Sequence, residues 1–229
     1  MLFLKPSSLQ MNPIRLTDNS FYEERFIEPG LPLIISFAGL GDKYEFKKTL
    51  AHHSVNVIFL RDLSHQWYLN DLPTVGCGVS EISKFLSDRI IELKPPKVVA
   101  IGTSAGGFAA MLYGALLEVD VICVFSPQSF RSKLLCLLTW DYRWLDRVVD
   151  IYEGTKMQPQ YLDLKPMMRN YKGSLSMYYD QTNRLDNAHS KRIIGANISH
   201  HRFKFGGHNL VQELKKLGKL IHIIEEGLG

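Results

Sequence analysis

The chain has 229 residues, 45% hydrophobic and 22% charged, with a formal net charge of +4; that length buries a sizeable core in one domain and is short for two. Its basic residues are scattered, with Lys191-Arg192 and Lys215-Lys216 read as solvated helix faces, and no aromatic-basic motif accompanies them, which argues against nucleic-acid binding. Cys77, Cys123 and Cys136 form no CxxC pair, against a disulfide framework or structural zinc; the apolar run at Met1 to Leu4 stops at Lys5-Pro6, short of a signal core, and no stretch approaches the ~18 apolar residues of a membrane span.

Residues 1 to 30 read as a leading pair of strands or a hairpin, with turn signals at Asp18-Asn19-Ser20 and Pro29-Gly30. Strands are predicted at Pro32 to Phe37 and Val55 to Leu60, then a helix from Glu81 to Leu93 with Ile82, Phe85, Leu86, Ile90 and Leu93 at helical spacing. Pro95-Pro96 stops that helix. A strand at Lys97 to Ile101, an alanine-rich helix from Phe108 to Val119 and a strand at Val121 to Phe125 follow. Residues 131 to about 170, with Trp140, Trp144 and Pro159, break the rhythm and read as a helical insert. The alternation resumes with a strand at Ser174 to Tyr179, a helix at Asp186 to Ile194, a strand at Ile198 to Phe205, and a final helix from about Asn209 to Ile224. Continuous apolar strands alternating with helices imply a mainly parallel sheet covered on both faces, an α/β three-layer sandwich. The expectation is a single domain over residues 1–229 carrying the 131–170 insert.

Gly102-Thr103-Ser104-Ala105-Gly106 matches G-x-S-x-G between a predicted strand and a predicted helix. That setting is what a nucleophile elbow needs: Ser104 at the apex of a tight turn, glycines where side chains would collide, and the Ala105 amide at a helix N-terminus facing a developing oxyanion. A phosphate-binding loop fits less well, because the P-loop lysine and the G-x-G-x-x-G spacing are both missing. A nucleophilic serine needs a base, and the base an orienting carboxylate. Of the eight histidines, His208 in Gly206-Gly207-His208-Asn209 follows a predicted strand and precedes the last helix; His65, in a loop, is the rival. Asp180, ending a strand, is favoured as the acid over Asp186, which reads equally as a helix-capping residue.

The order Ser104, Asp180, His208, each at a strand end, resembles the α/β-hydrolase family over about residues 31 to 229. The resemblance implies a second oxyanion donor in Ala38-Gly39-Leu40-Gly41, from the amide of Gly39 or Leu40. His65 and Trp67 after the second strand, Gln128 beside the elbow, and Trp140 in the insert are the candidate substrate-binding residues, with ordinary packing as the competing reading for each. The chain also resembles small esterase-like proteins associated with bacterial surface-polysaccharide biosynthesis. The expected function is hydrolysis of an acyl ester or thioester of a small or polar substrate through an acyl-enzyme, without metal or cofactor. Acyl transfer by the same triad and a non-catalytic binding protein on the same fold are the alternatives. A cytoplasmic protein without nucleic-acid or membrane partners, with a homodimer left open, completes the expectation.

Overall fold

The computed structural model describes residues 21–153 and 158–229. Seven strands form one sheet: β1 (Tyr22–Arg25), β2 (Leu33–Phe37), β3 (Asn56–Leu60), β4 (Val98–Thr103), β5 (Val121–Phe125), β6 (Ser174–Asp180) and β7 (Ile198–Phe203). Their order across the sheet is β1-β3-β2-β4-β5-β6-β7, every pairing parallel except β1 with β3. The helices are α1 (Lys47–Leu50), α2 (Gly78–Leu93), α3 (Ala105–Leu116), α4 (Lys133–Thr139), α5 (Leu145–Glu153), α6 (Lys165–Asn170), α7 (Arg184–Lys191), α8 (Leu210–Lys216) and α9 (Lys219–Leu228).

Strand pleating divides the core, because successive side chains point to opposite faces. Leu33, Ile35 and Phe37 of β2, with Ala100 of β4 and Val124 of β5, pack against α2 and α3. Ile34, Ile101 and Phe125 lie on the other face with Leu210 and Leu214 of α8 and Leu220 and Ile224 of α9. The parallel three-layer sandwich read from the sequence is therefore the one observed.

Three local differences have physical causes. The predicted final helix is two helices, because Gly218 adopts φ +67°, a left-handed conformation that stops α8 before α9 begins. The helix after β4 starts three residues earlier than predicted, at Ala105, immediately behind the elbow. Of the leading strand pair, β1 is present as an antiparallel edge on β3, whereas the turn at Asp18-Asn19-Ser20 lies outside the described residues. The insert between β5 and β6 carries α4, α5 and α6. Among the described residues no helix is long and apolar enough to cross a membrane, and all three cysteines are free thiols.

Candidate active site

β4 ends at Thr103 and α3 begins at Ala105, so Ser104 alone makes the turn. Its backbone angles, φ 55° and ψ −114°, are unfavourable for a residue with a Cβ. Hydrogen bonds hold it there: its amide donates to the Phe125 carbonyl (3.0 Å), and its own carbonyl accepts from the amides of Phe108 (3.1 Å) and Gln128 (3.1 Å). A Cβ on Gly102 would strike the Gly106 carbonyl, and one on Gly106 would strike the carbonyl of Phe37. The pentapeptide's glycines are thus dictated by how closely β4, α3 and the end of β2 approach one another.

His208 Nε2 lies 2.8 Å from Ser104 Oγ, and His208 Nδ1 lies 2.8 Å from Asp186 Oδ1. Asp186 is buried, while the His208 side chain keeps 36% of its exposure. A carboxylate can only accept, so Nδ1 carries the proton and Nε2 is left to accept from the serine hydroxyl. Asp186 is aimed by the start of α7: Asn183 caps the helix, accepting from the amides of Leu185 and Asp186 at 3.1 Å each.

Asp180, expected to be the acid, makes no hydrogen bond with His208 among the described residues. Its Oδ1 accepts from the Thr182 amide (2.8 Å) and hydroxyl (2.6 Å), and its Oδ2 from the Gly207 amide (2.9 Å). Burial pushes its carboxyl up, but these donors outweigh it and hold the group below the usual carboxylate range. The chain bends back at Thr182 directly after β6, so Asp180 is spent on the turn and on the residue before His208. Asp186, one helical turn on, reaches the imidazole.

The oxyanion expectation also narrows. Ala105 supplies the first amide of α3, a donor that a helix leaves without an internal acceptor. The Gly39 amide is engaged by the buried carboxyl of Glu45, whose Oε1 lies 3.3 Å from where a Gly39 Cβ would stand. Leu40 is therefore the remaining candidate of the pair. Sequence reasoning passed over Glu45. Burial raises its pKa, with Thr103 and the Gly39 amide lowering it in part, and its Oε2 is buried without a partner among the described residues.

The expected substrate residues separate into a buried pair and two others. Trp67 is fully buried, and its indole N–H donates to Gln128 Oε1, itself buried. Trp67 is thus a packing residue on which the Arg131 guanidinium stacks at 4.6 Å. Gln128 stays beside the elbow through the hydrogen bond its backbone amide donates to the Ser104 carbonyl, with its Nε2 buried and unpartnered among the described residues. His65, with φ 56°, sits in a tight loop where Asp62 accepts from the amides of Ser64, Gln66 and Tyr68; no hydrogen bond joins it to Ser104 or His208 among the described residues. Trp140, expected at a substrate or in cap packing, is 70% exposed and is tethered through its carbonyl to Arg184.

The insert contributes an ionic layer behind Asp186. Asp141 accepts from Arg143 Nε (2.9 Å) and Nη2 (3.0 Å) and from His189 Nε2 (2.9 Å), with Arg131 Nη2 at 3.6 Å. Arg143 Nη1 reaches to 3.7 Å from Asp186 Oδ1. The Ser129 amide donates to His189 Nδ1 (3.0 Å), so the imidazole proton sits on Nε2 and points at Asp141. Burial drives the His189 pKa down to about 4 despite Asp141, so the ring is neutral near pH 7. Asp141, although burial opposes it, is held well below the ordinary carboxylate value by His189, Arg143 and Arg131. Among the described residues no group of His, Cys, Asp and Glu side chains is placed to hold a metal ion.

The sheet order, the elbow after β4 and the histidine after β7 can now be set beside known proteins. No protein-family model matches the sequence, and no curated protein matches it. Solved structures do match. Acetyl xylan esterase 1 from Thermoanaerobacterium sp. JW/SL YS485 aligns with a TM-score of 0.58 at 14% identity, over 88% of this chain and 78% of that one. The chain has the α/β-hydrolase fold. The capsule O-acetyltransferase of Neisseria meningitidis serogroup A aligns at 0.56 and 15% identity, over 88% and 90% of the two chains. The meta-cleavage product hydrolase from Pseudomonas fluorescens IP01 aligns at 0.56 and 14%, over 90% and 93%. Esterase, acyl transferase and hydrolase thus all occur among the neighbours of this α/β-hydrolase fold, and identities this low speak to the fold alone.

Proposed function

We propose that the protein is a serine hydrolase acting on an acyl ester or thioester, with Ser104 as nucleophile, His208 as base and Asp186 as the acid that orients it. The observation that carries this reading is the unbroken relay of two 2.8 Å contacts, Ser104 Oγ to His208 Nε2 and His208 Nδ1 to Asp186. Ser104 Oγ attacks the acyl carbonyl as its proton passes to His208 Nε2, and the amides of Ala105 and Leu40 receive the oxyanion. Collapse of the tetrahedral intermediate breaks the bond to the leaving group, which takes the proton from His208. Water, deprotonated by His208, then releases the acyl group from Ser104. The part-exposed imidazole is accessible to water, which favours hydrolysis over transfer. Transfer to an alcohol is the second reading, favoured by the likeness to the capsule O-acetyltransferase.

Ser104→Ala should abolish labelling by a fluorophosphonate probe and lower nitrophenyl acetate turnover on the order of 10⁴-fold or more. Labelling that survives the substitution overturns the assignment. Partitioning of the acyl group between water and an added sugar alcohol separates the two readings.

A further inference from the structure

A cleft of about 910 Å³ opens beside the triad, with Thr103 and His208 in its wall. That size suits a substrate of moderate mass. The segment after β2 forms one side, including Tyr44 and Glu45, and α8 contributes Lys215 from the other. Five cationic side chains line it against three carboxylates.

The pairing of these charges matters more than their number. Lys47 is neutralised by Glu23 at 2.6 Å. Lys43, Lys48 and Lys215 have no carboxylate partner among the described residues. Arg61 also lines the cleft, engaged rather than free: its guanidinium lies 4.6 Å over the Tyr44 ring and donates to the Asp42 carbonyl. Of the three opposing carboxylates, Glu23 is taken by Lys47 and Glu45 is buried against Gly39 and Thr103, which leaves the exposed Asp42 set against three lysines. Cations placed around a concave site raise the local concentration of anions. Ammonium groups on flexible stems, arriving from two sides, suit a multiply charged, roughly spherical anion better than a planar carboxylate, which a guanidinium fork reads best.

We propose that this cleft binds a phosphate-bearing part of the substrate, held by Lys43, Lys48 and Lys215, with the acyl carbonyl delivered to Ser104. The proposal takes its catalytic role from the reading above, whereas binding itself does not depend on that reading. A phosphate ester can come from the carrier of the acyl group, as in a nucleotide-bearing thioester, or from a phosphorylated sugar that holds or receives it.

Isothermal titration calorimetry at low salt tests it on the whole chain and on Ser104→Ala, with inorganic pyrophosphate as the probe. Pyrophosphate should bind both, and bind at least ten-fold more weakly to K43Q/K48Q/K215Q, whose melting temperature should match the parent's. Should the triple variant fail to fold, K215Q alone should weaken binding about three-fold, about 1.4 kcal/mol being needed for each factor of ten. Coenzyme A binding more tightly than pyrophosphate supports the carrier as the source, and glucose 6-phosphate doing so supports the sugar. No pyrophosphate binding, or equal binding by parent and lysine variants, overturns the inference. Turnover surviving in Ser104→Ala instead overturns the triad while leaving the calorimetric result intact.

Discussion

The elbow around Ser104 and the insert between β5 and β6 reach the same few side chains by opposite means. At the elbow, backbone contact does the positioning: glycines let β4, α3 and the end of β2 almost touch, and hydrogen bonds to Phe125, Phe108 and Gln128 fix a strained serine. In the insert, side-chain charge does it: buried Asp141 gathers Arg131, Arg143 and His189, and Arg143 extends to Asp186. The elbow's motif is local in sequence, and the groups that hold it are uncharged backbone amides and carbonyls. The insert is assembled from residues far apart in sequence, and its strength depends on which groups carry charge.

The largest effect expected from breaking this arrangement is at its meeting point, Asp186. Asp186→Asn preserves shape but removes the negative charge that fixes the His208 tautomer, and kcat should fall on the order of 10⁴-fold. Asp180→Asn weakens only the anchoring of Thr182 and Gly207, and should cost far less, about ten-fold. Steady-state hydrolysis of nitrophenyl acetate by the two variants checks the order. Equal losses would mean that the acid acts through the loop rather than on the imidazole.

The second effect is structural. Gly106→Ala drives a methyl into the Phe37 carbonyl, where both partners are backbone and cannot turn aside. A loss of about 3 kcal/mol or more is expected, measured by urea unfolding. A milder loss would show that the elbow relaxes in a way its close contacts do not suggest.

These two positions also mark what was legible in the sequence. The elbow was readable because its requirements, a strand, two glycines two residues from a serine, and a helix, fall within a few consecutive residues. The carboxylate partner of His208 was not, since Asp180 and Asp186 both follow β6 and nothing in their spacing shows that Asp180 is engaged by Thr182 and Gly207 while Asp186 meets the imidazole. Asn183 three residues before Asp186 was the available signal, an N-cap that places Asp186 in the first helical turn. Glu45 and the pairing of Asp141 with His189 had no such signal, because contacts between residues distant in sequence leave no spacing to read. The break at Gly218 did have one, a glycine inside an otherwise continuous apolar stripe, outweighed by the regularity of the leucines around it.

The insert's dependence on charge gives the third prediction. His189 is buried neutral with its pKa near 4, whereas in the unfolded chain it titrates near 6.5. Above pH 6.5 neither state takes up a proton at this site. As pH falls from 6.5 towards 4, the unfolded state is protonated and the folded state is not, so stability is lost across that window. Between pH 7 and pH 5 the loss from this residue should be about 2 kcal/mol. Part-buried His200 and His201, also lowered by burial, add in the same direction. Urea unfolding at both pH values, repeated with His189→Gln, isolates the contribution: the variant should show a shallower fall even if it starts less stable. A parallel fall in both proteins would place the titrating group elsewhere.

The smallest effect lies on the outer side of the same insert. Leu134, Leu137 and Leu138 of α4 are 64%, 58% and 65% exposed, while Cys136 beside them is buried. If the ionic layer rather than apolar burial fixes this segment, the helix should tolerate loss of its outward leucines. Leu137→Gln with Leu138→Gln should change unfolding free energy by no more than about 0.5 kcal/mol, since both residues stay more than half exposed. Cys136→Asp, by contrast, puts a second carboxylate close to Asp141 in a space closed to water, and should be the more destabilising by several-fold. A large loss from the double leucine variant would reverse the comparison, making the apolar surface of α4, and not Asp141, what holds the insert against Asp186.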